Sequence, residues 1–198
     1  QAGYPAFIKE RDGSSSINAF KVMNVRELEI FAAQIKDYIV QPFVEGREYT
    51  IDIFCDWKGE PISIVPRERI QVRAGEVLKT QICMDEKMIA EANMICKAFR
   101  PCGAITVQLI RDNHTGEDYF IEINPRFGGG APLSMKAGAR SPEAVLKILD
   151  GEKTEYYKKI EDKAIYSRFD QSVCITEEQS KVKGIIFDLD DTLYSEKE

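Results

Sequence analysis

The chain has 198 residues, 43% of them hydrophobic and 30% charged, which is enough apolar surface to offset chain entropy over most of its length. Its apolar runs are short pieces such as Gly184-Ile185-Ile186-Phe187, far below the roughly 18 to 20 residues of a membrane-spanning helix. With 27 basic against 33 acidic residues and a net charge of −6, nonspecific binding to nucleic acid is excluded as the main task, though a small local basic site is not. The five cysteines (Cys55, Cys83, Cys96, Cys102, Cys174) are odd in number and lack CxxC spacing. They read as reduced thiols of a cytoplasmic protein, neither a disulfide framework nor a zinc site. Gln1-Ala2-Gly3-Tyr4 carries no basic or apolar leader, and the single histidine, His114, removes every mechanism that needs two.

Strands and helices alternate along the chain without repeats. Both ends read as cut, the first element being a strand already in progress at Phe7 to Glu10. A loop, Arg11 to Ser16, leads into a second extended run from Ile17 to Met23. Asn24 caps a helix expected over Val25 to Lys36, with Leu28, Phe31, Ala32 and Ile35 on one face. Tyr38 to Val44 is a buried strand turned by Pro42. Arg47 to Asp56 and Pro61 to Val72 form a hairpin around Trp57-Lys58-Gly59. Asp85 caps a helix through Phe99 whose apolar stripe is Met88, Ile89, Ala92, Ile95, Cys96 and Phe99. Gly103 to Arg111 and Asp118 to Asn124 make a second hairpin, and Ser141-Pro142-Glu143 opens a helix that ends at Gly151. Asp150 to Asp162 is a charged stretch where a boundary is expected, and a new apolar strand starts at Lys183.

The second hairpin carries the strongest chemistry. Pairing it about Thr115 sets Asp112 opposite Asp118 and Gln108 opposite Glu122. Period-2 alternation then collects Gln108, Glu122 and Asn124 on one face, with Ile121 and Ile123 on the other. One carboxylate and two amides suit Mg²⁺, a hard cation that takes oxygen ligands and also holds nucleotide phosphates. The competing reading is the polar, solvent-facing side of an edge hairpin. Just beyond, Asn124-Pro125-Arg126-Phe127-Gly128-Gly129-Gly130 supplies a fixed cation on the same face if the strand continues. The glycines let backbone approach a ligand before a helix near Ala131 to Lys136.

Gln108, the run Glu122-Ile123-Asn124-Pro125-Arg126 and the glycines after it resemble the metal-binding signature of the ATP-grasp superfamily, in its carbamoyl-phosphate-synthase-like form. The resemblance implies an α+β fold of antiparallel sheets with packed helices, two lobes gripping a nucleotide, here incomplete at the amino end. Residues 1–40 would belong to the small lobe, 41–152 to the large lobe and 153–181 to a connector. It implies ATP and Mg²⁺ (or Mn²⁺) as cofactors, with Gln108, Glu122 and Asn124 as metal ligands and Arg126 on the γ-phosphate. Lys9 would touch the α- and β-phosphates under a flexible cover formed by Gly13, Ser14, Ser15 and Ser16, whose small residues expose backbone N–H groups. Gln41, Phe43 and Val44 would meet the adenine edge and Glu48 the ribose hydroxyls. Arg67, Arg69, Arg73 and Lys79 would hold the second substrate, or alternatively form a solvated hairpin face. The implied activity is an ATP-dependent ligase that activates a carboxylate or bicarbonate for attack by an amine or similar nucleophile. The partners are small molecules, with neither nucleic acid nor membrane, and homodimerisation is left open.

Residues 182–198 tell a second story. Ile185-Ile186-Phe187-Asp188-Leu189-Asp190-Asp191-Thr192 ends an apolar strand with two aspartates one residue apart. This resembles the first motif of haloacid-dehalogenase-like phosphatases, with Asp188 as nucleophile and Asp190 as acid/base. An alternative function is therefore a phosphatase fusion in which the ATP-grasp part only binds nucleotide. A strand simply added to a sheet edge is the plainer reading.

Overall fold

The computed structural model describes residues 3–12, 17–73 and 75–169. The first three strands, β1 (Ala6–Glu10), β2 (Phe20–Val22) and β3 (Tyr38–Pro42), pair antiparallel in the order β2-β1-β3. Alternation turns Ala6, Ile8 and Val22 inward, where α1 (Val25–Ala32) covers them with Leu28, Phe31 and Ala32. Asn24 caps α1 by accepting from Glu27 N, and the Glu27 carboxylate reaches back to Met23 N. The helix stops short of the expected Lys36 because its last turn tightens, Gln34 N bonding Phe31 O. Ile35, 3% exposed, then drops into the small core.

The larger sheet is built on β4 (Gly46–Cys55) and has the order β8-β7-β4-β5-β6-β9, all antiparallel. Its other members are β5 (Pro61–Arg73), β6 (Glu76–Ile82), β7 (Gly103–Asp112), β8 (Asp118–Asn124) and β9 (Ile165–Ser167). The β4–β5 turn is the expected one. Asp56 Oδ1 accepts from Lys58 N and Glu60 N, and Gly59 takes φ +82. One face of the sheet is apolar: Ile51, Ile53, Ile64 and Val107 pack under Met88, Ala92 and Cys96 of α2 (Glu86–Phe99), a helix capped by Asp85 as anticipated. Phe99, expected on the buried stripe, is 71% exposed, since the chain leaves the helix through a left-handed Arg100.

The opposite face is covered over part of its length by α3 (Ala131–Ser134), a wide turn through Met135–Ala139, and α4 (Ser141–Leu149). Ala137 and Ala139 rest on Val65 and Ile82, while Ala144 rests on Phe54 and Ile62. Residues 153–168, read from sequence as the start of a connector, pack on these cores through Tyr156, Tyr157, Ile160 and Ala164 before β9 joins the sheet.

The β7–β8 pairing corrects one expectation. Gln108 faces Glu122 as proposed, but Ile121 bulges, so Arg111 rather than Asp112 faces Asp118. The slip lets Arg111 donate twice to Asp118 and twice to Asp85, tying the hairpin to the head of α2. Asp112 turns instead into the loop, accepting from His114 N and Thr115 N.

Candidate nucleotide and metal site

Cross-strand partners share a face, so the register of β4, β5, β7 and β8 fixes which side chains meet. Glu48, Thr50, Asp52 and Phe54 of β4 lie in line with Ile110, Gln108, Thr106 and Ala104 of β7, and Glu122 and Asn124 of β8 complete the two middle rows. In those rows Gln108 Nε2 and Asn124 Nδ2 both donate to one oxygen, Glu122 Oε1, at 2.7 Å each. A carboxamide can turn either its N–H or its C=O toward the same point. With both carboxamides turned, one carboxylate and two amide oxygens would converge, a donor set suited to a hard divalent cation. Among the described residues no cluster of three or more His, Cys, Asp or Glu stands ready for a metal, so a cation here depends on those amide oxygens.

Arg126 does not extend the strand. β8 ends at Asn124, and Arg126 N bonds back to Asn124 O. Thr106 Oγ1 donates to Arg126 O, and the exposed guanidinium reaches Phe127 O through Nη1. The three glycines that follow approach protein rather than open space. A Cβ on Gly128 would crowd Thr106 at 3.1 Å, one on Gly129 would collide with the Glu76 carboxylate, and one on Gly130 would come within 2.5 Å of Arg67 Nη2. At Gly130, and less strictly at Gly128, the missing side chain is used by packing within the protein.

The basic cluster divides. Arg67, 1% exposed, donates from Nε to Asp52 Oδ2 at 2.7 Å, while its Nη1 is buried without a hydrogen-bond partner. Ser134 of α3 donates to the same Asp52 oxygen. Arg69 bonds Glu48 Oε2 at 3.2 Å, Thr50 Oγ1 at 3.4 Å and Gly75 O at 2.9 Å. Arg73 is exposed near the end of β5, and Lys79 lies on β6 opposite Gln71 and Ser167. Asp52 and Ser134 were missed from sequence. The available signal was a carboxylate inside the apolar strand Thr50-Ile51-Asp52-Ile53-Phe54, at the alternation position shared with Glu48.

On the small sheet Lys9 stands opposite Ile39, on the face that α1 leaves open, together with Phe7, Lys21 and Gln41. Lys21 Nζ lies 3.9 Å from the centre of the Phe43 ring, and Phe43 N bonds Pro5 O. Val44 is half-buried, and the chain enters β4 through Gly46, whose missing Cβ leaves room for Arg111 O. Gly13, Ser14, Ser15 and Ser16 lie outside the described residues, as do Asp188, Asp190 and Thr192.

Two antiparallel sheets in this arrangement, the larger one covered on one face by α2, are those of an ATP-grasp fold. The chain belongs to the ATP-grasp family described as "ATP-grasp in the biosynthetic pathway with Ter operon", which matches residues 34–171. It is similar to acetyl-CoA carboxylase 1 of Arabidopsis thaliana, at 26% identity over 67% of this chain, and to acetyl-CoA carboxylase 2 of Oryza sativa subsp. japonica, at 27% over 67%. It spans only 6% of the length of either relative. Among solved structures, biotin carboxylase from Campylobacter jejuni shares the fold at TM-score 0.65 and 20% identity, covering 82% of this chain and 41% of that one. N5-carboxyaminoimidazole synthetase from Staphylococcus aureus, complexed with ADP, does so at TM-score 0.65 and 17% identity, over 83% and 46%. The biotin carboxylase domain dimer of Hydrogenobacter thermophilus 2-oxoglutarate carboxylase, in complex with MgADP, ADP and bicarbonate, matches at TM-score 0.62 and 20% identity, over 82% and 40%. Among the described residues no helix is long and apolar enough to cross a membrane.

Proposed function

We propose that this chain forms the nucleotide- and metal-holding part of an ATP-dependent ligase that activates a carboxylate or bicarbonate. The observation that carries this reading is the meeting of Gln108 and Asn124 on a single Glu122 oxygen. Glu122, Gln108 and Asn124 would hold Mg²⁺, which when bound neutralises charge on the phosphates. Lys9 would touch the α- and β-phosphates, with Gly13, Ser14, Ser15 and Ser16 as their cover and Gln41, Phe43 and Val44 along the adenine edge. Glu48, which accepts from Arg69 Nε, would accept from ribose hydroxyls. Arg126 gives a fixed charge for the γ-phosphoryl group. A carboxylate oxygen then attacks the γ-phosphorus, the bond to the leaving ADP oxygen breaks, and an amine or similar nucleophile later displaces phosphate from the acyl group. Arg69, Arg73 and Lys79 are the candidates for holding that second substrate. Arg67, expected with them, is buried against Asp52 and close to Gly130, and is the least accessible of the four.

The test is thermal unfolding with and without Mg-ADP. Ligand at about 100 times its dissociation constant stabilises by about 2.7 kcal/mol, a rise of roughly 5 to 10 °C for a domain of this size. The shift should need Mg²⁺ and vanish in Glu122→Ala. A Mg²⁺-dependent shift of full size in that variant would remove the ligand assignment. On the spacing of Asp188 and Asp190 alone, we further infer that residues 182–198 open a phosphatase-like neighbour. Hydrolysis of p-nitrophenyl phosphate by a longer chain, unaffected by Asp188→Asn, would contradict it.

A further inference from the structure

β8 ends at Asn124, and the chain leaves the sheet before it reaches Arg126. Arg126 N donates to Asn124 O at 2.8 Å, closing a three-residue turn on Pro125, whose ring fixes its own φ. The aim of the Arg126 guanidinium depends on that backbone. Its one side-chain hydrogen bond among the described residues, Nη1 to Phe127 O at 3.2 Å, is to the adjacent residue. Thr106 ties the turn to the sheet. It stands on β7 in the row of Asp52 and Asn124, two residues before Gln108 and on the same face, with 4% exposure. Its Oγ1 donates to Arg126 O at 2.9 Å, and a Cβ on Gly128 would lie 3.1 Å from both its Oγ1 and its Cγ2. The side chain therefore meets the turn at Arg126 and again at Gly128.

Packing alone does not ask for that hydroxyl. Valine fills nearly the same outline, suits a strand and carries no polar atom that burial obliges to find a partner. The Thr106 hydroxyl finds its partner outside the sheet, on the carbonyl of the residue read as the γ-phosphate cation. Resting on the ligase reading above, we propose that Thr106 is a positioning residue for phosphoryl transfer. Its hydroxyl holds the turn from Asn124 to Gly128 against β7, and so keeps the Arg126 guanidinium aimed at the γ-phosphate of a nucleotide on the triad. β7 then sets both parts of the site at once: a metal ligand through Gln108 and, two residues away, the cation through Thr106. A positioning group acts only on the step its partner serves, because a small misplacement of a charge is costly where that charge is used. Loss of the hydroxyl therefore weakens a nucleoside triphosphate and spares the diphosphate, which the triad and Lys9 hold without Arg126.

Calorimetric titration of the full 198-residue chain with Mg-ADP and with the non-hydrolysable Mg-AMP-PNP gives the ratio of the two dissociation constants. Thr106→Val, which keeps the outline and removes the hydroxyl, should weaken Mg-AMP-PNP by roughly 3- to 10-fold, the worth of the hydrogen bond it loses, with Mg-ADP affinity retained. Thr106→Ser keeps Oγ1 and should recover most of that loss. Gly128→Ala presses the same turn away from Thr106 and should move the ratio in the same direction, which gives the readout a second time should the valine variant fail to fold. Arg126→Gln should move the ratio at least as far, and adding Thr106→Val to it should move it no further. A ratio unchanged in whichever of Thr106→Val and Gly128→Ala folds, both nucleotides being weakened alike as a merely structural role requires, overturns the proposal. So does a serine variant as weak as the valine one, or a further change in the double variant. A ratio unmoved by Arg126→Gln, or no binding of Mg-ADP to the parent chain, instead overturns the ligase reading, and the role of Thr106 falls with it.

Discussion

Removing the carboxylate of Asp52 should be the most damaging single change on the polar face. Its partner Arg67 has a side chain only 1% exposed, the Nε–Oδ2 distance is 2.7 Å, and Asp52 itself is 11% exposed at the side chain. In Asp52→Ala the guanidinium stays buried with its charge uncompensated, Ser134 loses its acceptor, and Nη1 of Arg67 is already without a partner. Breaking a buried pair from one side costs about 3 to 5 kcal/mol, which for this size of domain lowers the melting midpoint by roughly 6 to 20 °C. The pair Arg11–Asp37, with side chains 60% and 62% exposed, is the internal control. Its loss should cost about 0 to 1 kcal/mol, because solvent screens it. The assay is urea unfolding of Asp52→Ala, Asp52→Leu, Arg67→Met and the double variant Asp52→Leu/Arg67→Met. The double should recover much of the loss, since apolar replacement removes both buried charges together. Destabilisation by Asp52→Ala no greater than by Asp37→Ala, or a double variant as unstable as the sum of the singles, would refute this account of the buried network.

The remaining predictions concern acid stability and the glycine run. Hydrogen bonds from Arg111 hold Asp85 below the usual carboxylate range. For Asp118 burial pushes upward, but the bonds and charge of Arg111 outweigh it and the net direction is down. Both acids therefore contribute stability that is fully present above the unfolded value near 4 and is lost as pH falls through their depressed folded values. Denaturant midpoints should drop steeply below about pH 4, and Arg111→Met should flatten that drop. A parallel curve in the variant would contradict the assignment. In the loop after Arg126, Gly130→Ala presses a methyl group on buried Arg67 and Val77 and should cost about 1 to 3 kcal/mol. Gly129→Ala meets only the movable Glu76 carboxylate and should cost less, an order readable from thermal midpoints of the two variants.

Much of this fold was legible because its periods are clean. The alternation of Thr50-Ile51-Asp52-Ile53 and the caps Asn24 and Asp85 each identify an element locally, and α1, α2, β4 and β5 formed where those signals lie. What escaped is long-range. β5 ends at Arg73 and β6 begins at Glu76, so a single polar-looking run is split between two strands. β9 is three residues that become a strand only because β6 offers an edge. The Ile121 bulge is invisible to a symmetric pairing of the hairpin, since nothing local marks the extra residue; the gain appears only when Arg111 meets Asp118 and Asp85. The triad was legible from alternation alone. The support beneath it was not, because Asp52, Arg67 and Ser134 come from three elements distant in sequence.

That difference follows from how a two-faced sheet divides its work. Along β4 the odd positions Ile51 and Ile53 are sealed under α2, so their substitution is felt through packing. The even positions Glu48, Thr50, Asp52 and Phe54 run from a polar, exposed end, past the triad rows, to an apolar end packed under Ala144. The two faces of one strand thus answer to different partners, the odd positions to packing under α2 and the even ones to the Asp52–Arg67–Ser134 network and α4. Glu122 shows the arrangement at its limit. It sits on the edge strand, exposed, with both hydrogen bonds coming from amides that a cation could recruit. Those amides already meet at one carboxylate oxygen, so cation binding requires them to turn about their own side-chain torsions, while the strand pairing that aims them stays in place.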